Sequence, residues 1–200
     1  MLAEHGSPDF LIKIINVPEV LLYKMKIAIC GASLPPFDKA VLEKSCEIGK
    51  EIAASNHILR FGGCWGYPFE AAKGAFENKG KVAAVSPGKN KKEHIIKYKF
   101  PTENITEFQY TGLGIPGRNF PLINESDAVA IISGQIGTLN EFTLAFHQKK
   151  AIGILEGSGG ITSLIKEIVK ICRKVGEEDK VVYDVEPKNL IKKLNNFNNQ

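Results

Sequence analysis

The sequence predicts an α/β protein, a doubly wound, Rossmann-like parallel sheet with helices on both faces. Short apolar runs alternate with stretches of helical period, and most runs end in a glycine-bearing turn. One run, AVAII at residues 128–132, is apolar at every position, as a strand buried on both faces requires. Alternation at this spacing means βαβ units with right-handed crossovers. In such sheets ligands sit beyond the carboxyl ends of the strands.

Residues 1–24 stand apart from this rhythm. They lack the basic start and small-residue cleavage site of a signal peptide, and Pro8 and Pro18 interrupt them. They are expected to form an added strand or hairpin, or else an upstream extension if Met25 is the natural start. The Rossmann-like domain is expected over residues 25–195, with a polar tail at 196–200. From Met25, a strand at 26–30 leads to a helix at 38–54, whose Val41, Ile48 and Ile52 share one face. A strand at 57–61, a helix at 67–78 with Pro68 in its first turn, and a strand at 81–86 follow. Residues 93–98 read as a short helix, 105–110 as a strand, 111–117 as a glycine-rich loop and 118–124 as a short helix. After the strand at 128–132, a helix is expected from Thr138, with Leu139, Phe142 and Phe146 on one face. A strand at 151–155, a glycine loop at 157–160, a helix at 161–175, a strand at 180–183 and a helix at 187–194 complete the chain.

The chain has 200 residues, 44% hydrophobic and 24% charged, the profile of an ordinary globular protein. Its net charge is +4, with one lysine cluster at 89–92 that reads as a solvated turn and helix start. On that balance neither a membrane nor a nucleic acid is expected as partner. Cys30, Cys46, Cys64 and Cys172 show no CxxC spacing, so free thiols in a reducing cytoplasm are expected. The four histidines are isolated, and no metal site is expected. No apolar run reaches the ~18 residues that span a bilayer.

The stretch 126–146 carries the chemistry. A buried strand, the turn Ser133-Gly134-Gln135-Ile136-Gly137 and a helix start make an anion site, because free backbone N–H groups and the helix dipole favour negative charge. Phosphate is the expected anion. A second reading stays open, in which Thr138 and Glu141 form a capping box and satisfy those groups internally. No GxGxxG follows the first strand, so a mononucleotide is favoured over a dinucleotide. Arg118 offers a planar fork of donors to a phosphate or ribose, or a surface ion pair. Gly31, Ala32, Ser33, Gly62 and Gly63 carry little or no side chain and would admit a base and sugar. Trp65 reads equally as a stacking platform or as packing, and Asp127 as a cap or turn residue. Ser33 and Cys30 lack a neighbouring histidine in sequence, which gives little support to nucleophilic catalysis.

Four segments together resemble the LOG-like, "lysine decarboxylase-like" Rossmann superfamily: ICGAS at 29–33, FGGCWGYPFEAAKGA at 61–75, Gly117-Arg118-Asn119, and Gly134-Gln135-Ile136-Gly137-Thr138 with Glu141. The characterised members are cytokinin-activating nucleoside 5′-monophosphate phosphoribohydrolases. Three positions depart from their pattern. Ser133-Gly134-Gln135 stands for Pro-Gly-Gly, Asn119 for a lysine, and Asn140 for the first of two glutamates. These departures place the chain nearer to a nucleotide-binding branch distantly related to the DNA-processing protein DprA. The resemblance implies a nucleotide site at Gly31, Ala32, Ser33, Gly62, Gly63, Arg118, Asn119, Gly134, Gln135, Ile136, Gly137 and Thr138, with Arg118 and Glu141 as catalytic residues in an enzyme. It implies AMP or another nucleoside monophosphate as ligand, no required cofactor, and a homodimer or higher homo-oligomer. It also admits a molybdenum-cofactor carrier or a single-stranded DNA-binding protein.

Overall fold

The structure, a computed structural model, describes residues 25–173 and 180–197. The extension expected at residues 1–24 and the last three residues of the expected tail lie outside the described residues. Seven strands are β1 (Lys26–Gly31), β2 (Ile58–Phe61), β3 (Lys81–Ser86), β4 (Glu107–Tyr110), β5 (Ala128–Ile132), β6 (Ala151–Leu155) and β7 (Val181–Asp184). They form one sheet in the order β4-β3-β2-β1-β5-β6-β7, with every pairing parallel. The chain runs outward from β1 to β4, then returns to lay β5 on the other side of β1. The order therefore reverses between β1 and β5, where crossovers on either side leave a crevice.

Helices cover both faces because residues alternate along each strand. On one face α1 (Lys39–Ala54), α2 (Tyr67–Glu77) and α6 (Pro187–Asn196) bury Ile48, Ile52, Ala72 and Leu190 against Ile27, Ile29, Leu59 and Phe61. On the other, α3 (Gly114–Asn124), α4 (Ile136–His147) and α5 (Ile165–Cys172) bury Leu122, Phe142 and Ile165 against Ala28, Val129 and Ile131.

Four helix boundaries differ from expectation by two residues or more, and the strand expected at 105–110 begins only at Glu107. The helix expected from Thr138 begins at Ile136, with Gln135 as N-cap and no side chain capping it. The helix expected at 118–124 begins at Gly114, whose φ of +71° turns the chain and brings Pro116 into the first turn. The helix expected from residue 161 is split into a 3₁₀ turn (Gly160–Ser163) and α5. The last helix runs two residues beyond Leu194, and Phe197 behind it packs on the core.

The short helix expected at 93–98 is a single π-type turn, Glu93–Lys97, wound around a fully buried His94. Its Nε2 meets the Pro101 carbonyl at 2.8 Å, which can only accept, so Nε2 carries the proton. Nδ1 then accepts from the Ser86 hydroxyl at 2.9 Å.

Glycine also sets how closely α1 and α2 cross. A Cβ on Gly49 would lie 1.8 Å from the Ala71 carbonyl oxygen, and one on Gly74 would lie 2.0 Å from that of Cys46. Gly49→Ala gains about 1 kcal/mol of helix propensity but must push two backbones apart. A net loss of about 1–3 kcal/mol is expected, read as a fall in thermal midpoint of roughly 2–12 °C.

Candidate functional site

The crevice between β1 and β5 opens into a cleft of about 150 Å³. Its walls come from the turn after β1 (Gly31 to Leu34), from α3 (Ile115, Arg118, Asn119) and from the start of α4 (Gln135 to Thr138, and Glu141). Cys64 and Pro68, just past β2, close one side.

Its floor is an ion pair. Arg118 and Glu141 are 5% and 6% exposed, and Arg118 Nη1 donates to Glu141 Oε1 at 2.7 Å. The same nitrogen lies 2.8 Å from Asn119 Oδ1. Burial works against the guanidinium charge, but the adjoining Glu141 carboxylate outweighs it and holds Arg118 above its ordinary range. Arg118 Nε is buried without a hydrogen-bond partner among the described residues. The capping box does not form: Thr138 is the third helical residue, and Glu141 is bonded across to α3.

Asn119 Nδ2 donates to Asn140 Oδ1 at 2.8 Å, a second bond from α3 to α4. These are two of the positions at which the sequence departs from the cytokinin enzymes. Both departures therefore sit in one contact, a neutral amide pair where that pattern has lysine and glutamate.

The α4 N-terminus faces the cleft. Ile136 and Gly137 are exposed at its mouth, and a Cβ on Gly137 would meet nothing within 4 Å. The turn leading to it is braced from behind. Ser133 holds a φ of +55° and its amide donates to Ser158 Oγ at 2.8 Å. The Ile161 amide donates to the Gly134 carbonyl at 3.0 Å, and Gly160 packs so closely that a Cβ would lie 2.3 Å from that oxygen. The loop 157–160 thus buttresses the turn from behind.

Of the twelve positions expected to bind nucleotide, nine line the cleft: Gly31, Ala32, Ser33, Arg118, Asn119, Gln135, Ile136, Gly137 and Thr138. Gly62, Gly63 and Gly134 do not. A Cβ on Gly62 would lie 2.2 Å from the Arg118 guanidinium, and one on Gly63 would lie 3.0 Å from the His94 ring. Those glycines make room for the protein's own side chains rather than for a base or sugar. Gly134 faces Thr138, whose Oγ1 would lie 2.4 Å from a Cβ there. Ile29, Cys30, Leu34, Cys64, Pro68 and Ile115 also line the cleft, outside the expected binding residues. Proximity to the carboxyl ends of β1 and β2 is the signal that could have found all of these but Ile115. Trp65 is anchored rather than buried: its Nε1 donates to the Lys99 carbonyl at 2.7 Å and its ring meets Phe69 edge-on at 4.9 Å, while the residue stays 42% exposed. Asp127 accepts from the Lys26 amide at 2.7 Å and ties β5 to the start of β1.

A profile of the SLOG cluster4 family matches residues 24–191. The chain belongs to that family. It is 29% identical over 132 residues to an uncharacterised protein of Archaeoglobus fulgidus, spanning 66% of this chain and 80% of that one. The crystal structure of TM1055 superposes with a TM-score of 0.73 at 22% identity, over 86% of this chain and 98% of the other. The molybdenum cofactor carrier protein of Chlamydomonas reinhardtii superposes at 0.71 and 23%, over 88% and 98%. DNA processing protein A of Helicobacter pylori, described with a single-stranded DNA binding mode, superposes at 0.60 and 19%, over 88% and 83%. These likenesses establish the Rossmann-like fold. They also correct one expectation: nucleic acid is not excluded as a partner, because a DNA-binding protein is built on this same fold. Net charge averages over the whole surface and so misses such a possibility.

Among the described residues, no three His, Cys, Asp or Glu side chains cluster so as to hold a metal ion, and no helix is long and apolar enough to cross a membrane. Two thiols line the cleft. Burial, and then the Glu141 carboxylate, push Cys30 well above the ordinary thiol range, and burial also raises Cys64. Both stay protonated at neutral pH, and a protonated thiol is a poor nucleophile. With a thiol-reactive dye at pH 7, the exposed Cys172 should label first. Cys30 and Cys64 should label only on unfolding or well above the ordinary thiol pKa, as peptide mass mapping over time would show.

Proposed function

We propose that this protein binds a nucleoside monophosphate, or a similar phosphorylated ligand, at the carboxyl edge of its sheet. The observation that carries this reading is the start of α4. No side chain caps it, it opens on the cleft, and Gly137 keeps the space before it clear although its backbone does not need a glycine. A phosphate there meets the amides of Ile136, Gly137 and Thr138 at the positive end of a 12-residue helix. Arg118 supplies further donors from α3, and the floor at Ser33 and Glu141 is polar enough for a sugar. The base then points outward past Leu34 and Ile115. Cytoplasmic location fits the four free thiols.

Other phosphorylated ligands share this chemistry. The molybdenum cofactor carries a pterin phosphate, and an uncapped helix start beside an arginine fits that phosphate equally. The test is a melting-shift panel of AMP, GMP, CMP, UMP, inorganic phosphate and isolated molybdenum cofactor. At about 100 times Kd a ligand stabilises by about 2.7 kcal/mol, or roughly 5–11 °C here. Gly137→Leu should leave the fold intact and remove the shift, because its side chain projects into the open cleft. A panel without any shift, or a Gly137→Leu shift equal to that of the native chain, overturns the reading.

The Arg118–Glu141 pair favours one second reading, hydrolysis of the N-glycosidic bond. That cleavage passes through an oxocarbenium-like sugar, which a carboxylate beside the anomeric carbon stabilises. Glu141 would stabilise the cation and orient water, with Arg118 holding the carboxylate and the phosphate. Chromatography of a nucleoside monophosphate incubated with the protein should then show free base and ribose 5-phosphate. Glu141→Gln leaves Arg118 buried without its carboxylate and should lower the stability of the free protein by several kcal/mol, while abolishing release and keeping the ligand-induced shift from that lower midpoint. Turnover persisting in that variant removes Glu141 from the chemistry.

A further inference from the structure

The chain's excess positive charge is concentrated in one place. Of its 26 basic and 22 acidic residues, Lys89, Lys91, Lys92, Lys97, Lys99 and the single Glu93 fall within residues 89–99. That segment alone carries a net +4, the same as the whole chain, so the rest of the protein is formally balanced. All five lysines are exposed. Lys89 pairs with Glu93 at 3.3 Å, and its neighbourhood holds that carboxyl below its ordinary range. Lys91, Lys92, Lys97 and Lys99 meet no carboxylate among the described residues.

The segment adjoins the cleft at both ends. It leaves the carboxyl end of β3, the same sheet edge as the cleft. At one end Gly112 packs on Lys89, and the Gly114 amide donates to the Pro87 carbonyl at 3.1 Å, next to cleft-lining Ile115. At the other end the Lys99 carbonyl fixes the half-exposed indole of Trp65, next to cleft-lining Cys64. Tyr98 adds a second ring, with Lys97 Nζ 5.1 Å from its centre.

We propose that this basic ledge, with Trp65 beside it, binds the backbone of a single-stranded nucleic acid running across the carboxyl edge of the sheet. Cations spaced along an edge neutralise successive phosphates, and a flat ring fixed among them gives an unpaired base a stacking face. A duplex hides its base faces and would leave that ring idle. An anionic membrane fits less well, because the only helical element of the ledge is a five-residue turn, too short for an amphipathic helix lying in a bilayer surface. The inference does not depend on what the cleft itself holds.

Trp65 is the protein's only tryptophan, so its emission reports on the ledge directly. Fluorescein-labelled 20-nucleotide oligo-dT, followed by anisotropy with the full chain, should bind at 50 mM salt and quench Trp65 emission. Each neutralised phosphate adds about 0.7 to the slope of log K against log salt. A Lys91→Glu, Lys92→Glu, Lys99→Glu variant should therefore lose at least tenfold in affinity and flatten that slope by about 2. Trp65→Leu should weaken binding about tenfold with the slope unchanged. Both variants should keep the far-ultraviolet circular dichroism and any AMP melting shift of the native chain. The inference is overturned by absent oligo-dT binding, by equal affinity in the lysine variant, by binding that leaves Trp65 emission unchanged, or by preference for a duplex or phosphatidylserine vesicles. Loss of the AMP shift in the native chain, with lysine-dependent oligo-dT binding retained, would remove the mononucleotide reading and leave this one standing.

Discussion

The architecture of the site depends on a charge pair removed from water. Taking a guanidinium and a carboxylate out of solvent costs several kcal/mol for each ion, and a close contact between them offsets that cost. Arg118 and Glu141 satisfy the condition at 2.7 Å, and they come from helices that flank the reversal between β1 and β5. The pair therefore fixes α3 against α4 at the point where the sheet leaves a crevice. Leaving either charge alone would be far worse than having neither, so the two helices must stay in register. The neutral contact between Asn119 and Asn140 repeats the tie one residue along each helix. It adds geometry without adding a further buried charge.

An exposed helix start needs support from elsewhere, because the side chain that usually satisfies it is missing. Here the support comes from behind the turn. Ser158 and Ile161 bond to Ser133 and Gly134, and Gly160 packs on the same two residues. The backbone is thus held in place from the far side while its front stays open to the cleft. Ser133 keeps a left-handed conformation that a non-glycine residue adopts only when its surroundings impose it.

The fold was legible in the sequence because alternation of strand and helix is a short-range pattern. All seven strands between residues 25 and 184 fall where apolar runs predicted them, and the fully apolar AVAII is the buried strand beside β1. Boundaries were less legible. Thr138 looked like an N-cap because Glu141 stood three residues later, yet the glutamate found a partner 23 positions back in the chain. Nothing local could reveal that bond. The same limit applies to Gly62 and Gly63, whose vacant faces read in sequence as space for a ligand and are filled by Arg118 and His94. Trp65 fits both a platform and a packing role, because its hydrogen bond to the Lys99 carbonyl leaves it pinned and half-exposed at once. The lysine-rich segment was visible as composition, but its position on the cleft edge required the sheet order.

Gly62 and Arg118 stand 56 positions apart, yet each is a condition for the other. Any side chain at residue 62 would take the volume in which the guanidinium lies, and would displace the cation from the carboxylate that keeps it buried. A lineage replacing that glycine must therefore give up the arginine as well, or rebuild the crevice floor. The two positions should be inherited as a unit, and where homologous chains diverge they should change together.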